Sequence, residues 1–103
     1  MNPDYSRAIP ESWQRMSKIF TALGDEHRQR ILLTFEQGER LNVSQIVSVS
    51  TLSRPAVSHH LKILREAGVL ESEKVGKEIF FWVNKIILME TFGNVMDYLE
   101  HNL

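Results

Sequence analysis

The sequence predicts a mainly α-helical single domain carrying one small β-hairpin, and three observations predict it. Apolar residues recur at three- and four-residue spacing over 13–23, 57–64 and 88–99, the period of helices with one buried face. A run of aromatic and β-branched residues, Ile79 to Val83, follows a Gly76-Lys77 pair, as the second strand of a hairpin should. Punctuation residues, Asp25, Asn42 and Ser53 in front and Gly24, Gly38 and Gly68 behind, cut the remainder into short helices.

Taken in order, Pro10 suits the first turn of a helix whose apolar face is Trp13, Met16, Ile19, Phe20 and Leu23, and Gly24 ends it. Asp25 caps a second helix, buried through Ile31, Leu32 and Phe35 and stopped by Gly38. Asn42 with Gln45 three residues on forms a capping box for a short helix, Val43 to Val49, buried through Ile46 and Val47. A tight connection, Ser50 to Leu52, leads to a helix over about 53–67 with Ser53 as cap, Pro55 in its first turn and Gly68 as its stop. Val69 to Val75 and Glu78 to Val83 make the hairpin over about 69–83. Its first strand is polar, as an edge in water should be, and its second places Ile79, Phe81 and Val83 on one face and Phe80 and Trp82 on the other. A last helix over about 86–102 shows Leu88, Phe92, Val95 and Leu99, with Met89 and Met96 widening the stripe.

The chain has 103 residues, room for one domain, 1–103, with a modest core, and a chain this short often gains stability by pairing with a copy of itself. At 43% hydrophobic and 24% charged it has a globular composition. Cysteine is absent, which excludes disulfides, thiolate metal sites and thiol switches. The longest apolar runs, Ile79 to Val83 and Ile86 to Met89, are too short to span a bilayer, and the first ten residues lack the apolar stretch of a signal peptide, so a cytoplasmic protein is expected. Net charge is −1, but unevenly laid out: residues 53–85 hold six Lys/Arg against four Glu, while 86–103 hold three acids and no Lys/Arg. A polyanionic partner is therefore expected at the middle third.

That third contains SRPAVSHHLKILREAG, Ser53 to Gly68. At about 100° per residue, Val57, Leu61 and Leu64 face a core, His60 lies on the flank, and Pro55, Ser58, His59, Lys62 and Glu66 lie opposite. The adjacent histidines diverge and have no ordinary ligand three or four residues away, so they are not expected to hold a metal. His60 reads as a half-buried packing residue with one ring nitrogen hydrogen-bonded. No hydrolase, zincin, P-loop or dinucleotide fingerprint is present, and no enzyme is expected. A short helix, a tight turn and a second helix with a polar outer face fit a winged helix-turn-helix. In such an arrangement the second helix enters the major groove of double-stranded DNA. Ser53, Ser58, His59 and Lys62 can meet bases or phosphates, and Arg54 can fork onto guanine or clamp a phosphate. Lys74 and Lys77 would follow the backbone from the wing without reading sequence.

Two segments carry a resemblance. Ala22-Leu23-Gly24-Asp25 through Arg28, Arg30, Ile31 and Leu32 is similar to the ALxDxxRxxIL signature of the ArsR/SmtB family of bacterial winged-helix repressors. Ser58 to Leu70 resembles its SxHLxxLRxAGLV segment, and Val75-Gly76-Lys77 with Phe80 to Trp82 resembles its wing. The match runs from about Trp13 to the C-terminus. It implies a homodimer joined through the first and last helices, at about 10–23 and 86–102, reading a palindromic operator as a transcriptional repressor that an effector, not named by the sequence, releases. Trp13, Met16, Phe20, Leu88, Phe92, Val95, Met96 and Leu99 are the expected dimer residues.

The family's sensing positions are altered. Asn42 and Ser44 stand where its third helix carries thiolates, and Lys85, Ile87, Tyr98 and His101 stand at its last-helix metal site. No metal or other cofactor is expected, with Asp97 and His101, four apart on one helix face, as the weak candidates for a non-thiol metal sensor. A rival of another class is a protein-interaction winged helix that no longer grips DNA, since a balance of +2 over 53–85 is modest for a DNA binder.

Overall fold

The computed structural model covers all 103 residues. It is a winged helix-turn-helix with the order α1 (Glu11–Leu23), α2 (Glu26–Thr34), β1 (Leu41–Asn42), α3 (Val43–Val49), α4 (Arg54–Glu66), β2 (Leu70–Val75), β3 (Glu78–Val83) and α5 (Lys85–Asn102). Residues 1–10 carry no helix or strand and are exposed.

Helix starts follow their caps. The Asp25 carboxylate accepts the Arg28 backbone N–H at 3.1 Å and starts α2. Asn42 and Gln45 form a reciprocal box at the head of α3, each side chain accepting the other's backbone N–H. The Ser53 hydroxyl accepts the Ala56 N–H and starts α4. Helix α4 ends in a Schellman motif: Val69 N–H reaches the Leu64 carbonyl, Gly68 N–H reaches the Arg65 carbonyl, and Gly68 takes a φ of 86° that a side chain would resist.

Two boundaries differ from the sequence expectation. Helix α2 ends at Thr34, with Phe35 as its C-cap, so Gly38 does not stop it; Gly38 instead makes the turn before β1 at a φ of 71°. The strand β1 was not expected. It has two residues, too few to show a period, and exists because Leu41 and Asn42 pair antiparallel with Phe81 and Phe80. The sheet order is therefore β1-β3-β2, with the polar β2 on an outer edge. Gly76 and Lys77 form the two-residue hairpin turn between paired Val75 and Glu78.

The core is one cluster of eleven buried residues drawn from every element except α5. Helix α4 lies at its centre: Val57, Leu61 and Leu64 have no measurable exposure. Ile19 and Ala22 of α1, Ile31 of α2, Ile46 of α3 and Phe81 of β3 close around them. Helix α5 contributes Ile87 and Leu88 from the margin, and the molecule measures 52 × 24 × 23 Å. Its radius of gyration of 16.1 Å exceeds the roughly 13 Å of a compact chain of about 100 residues.

Leu61→Ala should cost about 2–5 kcal/mol in a urea unfolding titration, because the cavity opens at the packing centre. Leu33→Ala, at a position 82% exposed on α2, should stay within about 0.5 kcal/mol of the parent.

Candidate nucleic-acid interface

The two histidines of the quoted segment separate as the helical wheel requires. Arg54, Pro55, Ser58, His59, Lys62, Arg65 and Glu66 are exposed along α4, while the opposite face is sealed in the core. Lys62 and Glu66 approach to only 4.0 Å in solvent, a contact too weak to occupy the lysine. His60 is half-buried, and its Nδ1 lies 3.3 Å from Arg28 Nη1.

Arg28 is the piece that positions α4. Its side chain is 13% exposed. Nε donates to the Ala22 carbonyl at 2.6 Å and Nη2 to the Thr21 carbonyl at 3.3 Å, two of the last acceptors of α1, the second of which also takes the Gly24 backbone N–H. Gln29 Nε2 donates to the next one, Leu23, at 2.7 Å. The same guanidinium reaches His60 on α4, and Asp25 sits 4.0 Å away. One residue thus ties the end of α1, the start of α2 and the flank of the outward helix. A guanidinium only donates, so Nδ1 of His60 must be the unprotonated nitrogen. Burial lowers the His60 pKa first; the Asp25 carboxylate opposes, and Arg28, His27 and His59 add to the lowering. Asp25 itself is held below the usual carboxylate value, chiefly by the Arg28 backbone N–H.

The wing presents cations because its carboxylates are engaged. Trp82 Nε1 donates to Glu71 at 2.9 Å, Arg40 Nη1 to Glu73 at 2.9 Å, and Asn42 Nδ2 to Glu78 at 3.2 Å. The Arg40 guanidinium also stacks 3.9 Å over the Trp82 ring. Lys74 and Lys77 are exposed, and neither is drawn into these contacts. Arg54 is not free at the helix head: its Nη1 donates to Ser44 Oγ of α3 at 2.9 Å. Sequence reasoning missed Ser44 as a partner of the outward helix, and missed Arg40, because β1 had to be known before Arg40 could be placed beside Trp82.

Helices α1 and α5 share a second surface. Trp13 packs edge-on against Tyr98 with centroids 5.1 Å apart, and Phe20 stacks on Phe92 at 5.9 Å. Trp13, Phe20, Ile86, Met89, Phe92, Met96 and Leu99 nevertheless remain exposed. Among the expected dimer residues, Met16 is buried in its own chain, at 8% exposure. Leu88 and Val95 are half-buried, and Leu88 packs on the core margin. Asp97, Glu100 and His101 bring donor atoms within 4.8 Å of one another, all solvated. His101 Nδ1 lies 2.9 Å from the Asp97 carbonyl and 3.5 Å from its carboxylate, a local contact one turn back along the end of α5. Three exposed donors on one turn do not make the closed four-ligand shell of a structural zinc site. The chain has no thiolate, so a cysteine-ligated metal does not fit it either.

A family model for bacterial regulatory proteins of the arsR family matches residues 25–72, the stretch from the cap of α2 into β2. The cadmium resistance transcriptional regulatory protein CadC of Listeria innocua is 31% identical over 85% of this chain and 74% of its own length. This chain belongs to the arsR family. The transcriptional repressor SdpR of Bacillus subtilis is 27% identical over 82% of this chain and 93% of its own. An ArsR-like transcriptional regulator from Rhodococcus superposes with a TM-score of 0.78 at 28% identity, covering 85% of this chain and 82% of that one. As an arsR-family protein the chain is a DNA-binding transcriptional regulator and not an enzyme, which decides against the interaction-only alternative. No helix is long and apolar enough to cross a membrane.

Arg28→Lys should destabilise by about 2 kcal/mol or more in thermal unfolding, since an ammonium cannot serve three diverging acceptors. The lowered pKa of His60 gives a second expectation. The unfolded imidazole takes its proton more readily than the folded one, so this contribution is complete above about pH 6.5 and is lost as pH falls through the folded value. The melting temperature should therefore drop on acidification below about pH 6.5, and drop less in His60→Gln. An equally steep acid slope in the variant would show that another group is responsible.

Proposed function

We propose that this regulator is a cytoplasmic homodimeric repressor that reads a palindromic operator with α4 and follows the backbone with its wing. Ser58, His59 and Lys62, with Ser53 and Pro55 at the helix start, meet the major groove, Arg54 stands at its edge, and Lys74 and Lys77 approach phosphates. The observation that carries this reading is the division of α4 into one face with no exposure and one exposed face that is polar apart from Pro55. A recognition helix needs both, a rigid back and free donors in front.

Dimerisation is supported by the apolar surface of α1 and α5. Phe20, Phe92, Met89, Met96, Leu99 and Trp13 remain between 36% and 65% exposed after the chain has folded. Covering such side chains stabilises by about 25 cal/mol per Å². Two copies joined there would set two α4 helices about 34 Å or a multiple of it apart, one helical turn of DNA. Occupying a promoter then blocks transcription.

Sedimentation equilibrium should give twice the 12.0 kDa chain mass. Selection from a random duplex pool should return a site with two-fold symmetry. Lys77→Ala should weaken selected and shuffled duplexes alike and reduce the salt dependence. His59→Ala should relax preference at particular base pairs by about 1–3 kcal/mol each. A monomer with no symmetric preference in the pool overturns this reading.

A further inference from the structure

A pocket of about 140 Å³ opens where three elements meet, between the heads of α3 and α4 and the tip of the wing. Ser44 comes from α3, Arg54 from α4, and Lys77 with Glu78 from the wing. Ser58, His59 and Lys62, the outward residues of α4, take no part in its lining.

We propose that Ser44, Arg54 and Lys77 form a cradle for one phosphodiester group of the DNA backbone in each half-site. This rests on the DNA-reading role proposed above and assigns Arg54 to the backbone rather than to a base. Three features argue for it. Arg54 is turned toward α3, donating one N–H to Ser44 Oγ at 2.9 Å and keeping its remaining N–H groups for another acceptor. Having accepted that bond, the Ser44 hydroxyl has its own proton to donate. Lys77 brings a compact ammonium from the other side of the pocket, at a glycine-led turn whose two-residue length fixes where it stands.

The charge count suits the same ligand. Arg54 and Lys77 supply two positive charges and Glu78 one negative, a surplus of one against the single charge of a phosphodiester. Glu78 is drawn aside by Asn42 Nδ2 at 3.2 Å, and Asn42 in turn is fixed by its capping box, so the carboxylate is held at the rim. A base edge offers no charge to balance this surplus. The bond to Ser44 also turns the guanidinium toward α3 and the pocket that Lys77 lines.

The test uses the full-length protein and a duplex selected from the random pool, with a shuffled duplex of equal length as its partner. Single backbone phosphates are replaced in turn by neutral methylphosphonates. The wild-type protein should lose several-fold in affinity at one position per half-site. Arg54→Ala and Lys77→Ala should each weaken both duplexes several-fold and become insensitive at that same position. The double variant should lose less than the product of the two singles, because the pair shares one ligand. Ser44→Ala should add little once Arg54 is gone. All three positions are exposed, so unchanged melting temperatures separate these effects from misfolding. The cradle is overturned if Arg54→Ala changes the preferred bases, if the two variants lose sensitivity at different phosphates, or if their losses multiply in full. Binding by the wild type to selected and shuffled duplexes equally would sink base reading while leaving the cradle standing. Binding to neither duplex would sink both.

Discussion

The fold hangs on one guanidinium. Arg28 fills the junction where α1 stops and α2 begins, and its three donor directions meet carbonyls of α1 and the imidazole of α4. The Ala22 carbonyl belongs to a buried residue that water serves poorly, and the Thr21 carbonyl is shared between the guanidinium and the Gly24 backbone N–H. The core sets where α4 can lie, but apolar contacts are non-directional and tolerate sliding. The Arg28–His60 contact has a direction, and it adds to the packing of Val57, Leu61 and Leu64 in setting the rotation of α4 about its own axis. That rotation decides which side chains face outward. The Asp-x-x-Arg spacing of the family signature has a mechanical reason here: Asp25 caps α2 by accepting the backbone N–H of the residue whose side chain makes the junction.

A second economy lies in the wing. Its strands contain three glutamates, which taken by themselves make a poor approach to a polyanion. Each is matched with a donor on the sheet, through Trp82, Arg40 or Asn42, and two of those donors flank or belong to the short strand β1. The exposed surface ion pair adds little stability. Its effect is on shape and field: the carboxylates are fixed to the sheet, while Lys74 and Lys77 keep their charge free toward solvent.

Most of the architecture was legible because it is local. Caps at Asp25, Asn42 and Ser53, the Gly68 stop and the Gly76-Lys77 turn act within a few residues of themselves, and the structure shows all five. The exposed row on α4 was legible for the same reason, since a 3.6-residue period needs no tertiary knowledge. The misses are long-range. Strand β1 pairs Leu41 with Phe81 and Asn42 with Phe80, 40 and 38 positions away, and has no period of its own. Arg54 to Ser44, Arg40 to Glu73 and Arg28 to His60 each span from ten to 33 residues and depend on where separate elements come to rest. The early end of α2 at Thr34 also escaped, because Phe35 is drawn toward the core margin and leaves the helix to reach it.

These features bear on how such a weakly basic protein can discriminate among duplexes. Residues 53–85 carry a balance of only +2, so sequence-independent attraction to DNA rests on few charges and depends only shallowly on salt. A strongly basic domain grips any duplex and must find its site against that background. With few charges to hold any duplex, the proposed complex draws on directed contacts: donors of α4 whose orientation the core and the Arg28 junction set, and a few phosphates taken at fixed points. Directed contacts reward rigidity, since each one lost to a rotated helix loses its full hydrogen bond. In the proposed dimer a second copy doubles the number of directed contacts. In the proposed assembly, affinity grows with symmetry while non-specific attraction stays low, and the sealed back of α4 is what makes that possible.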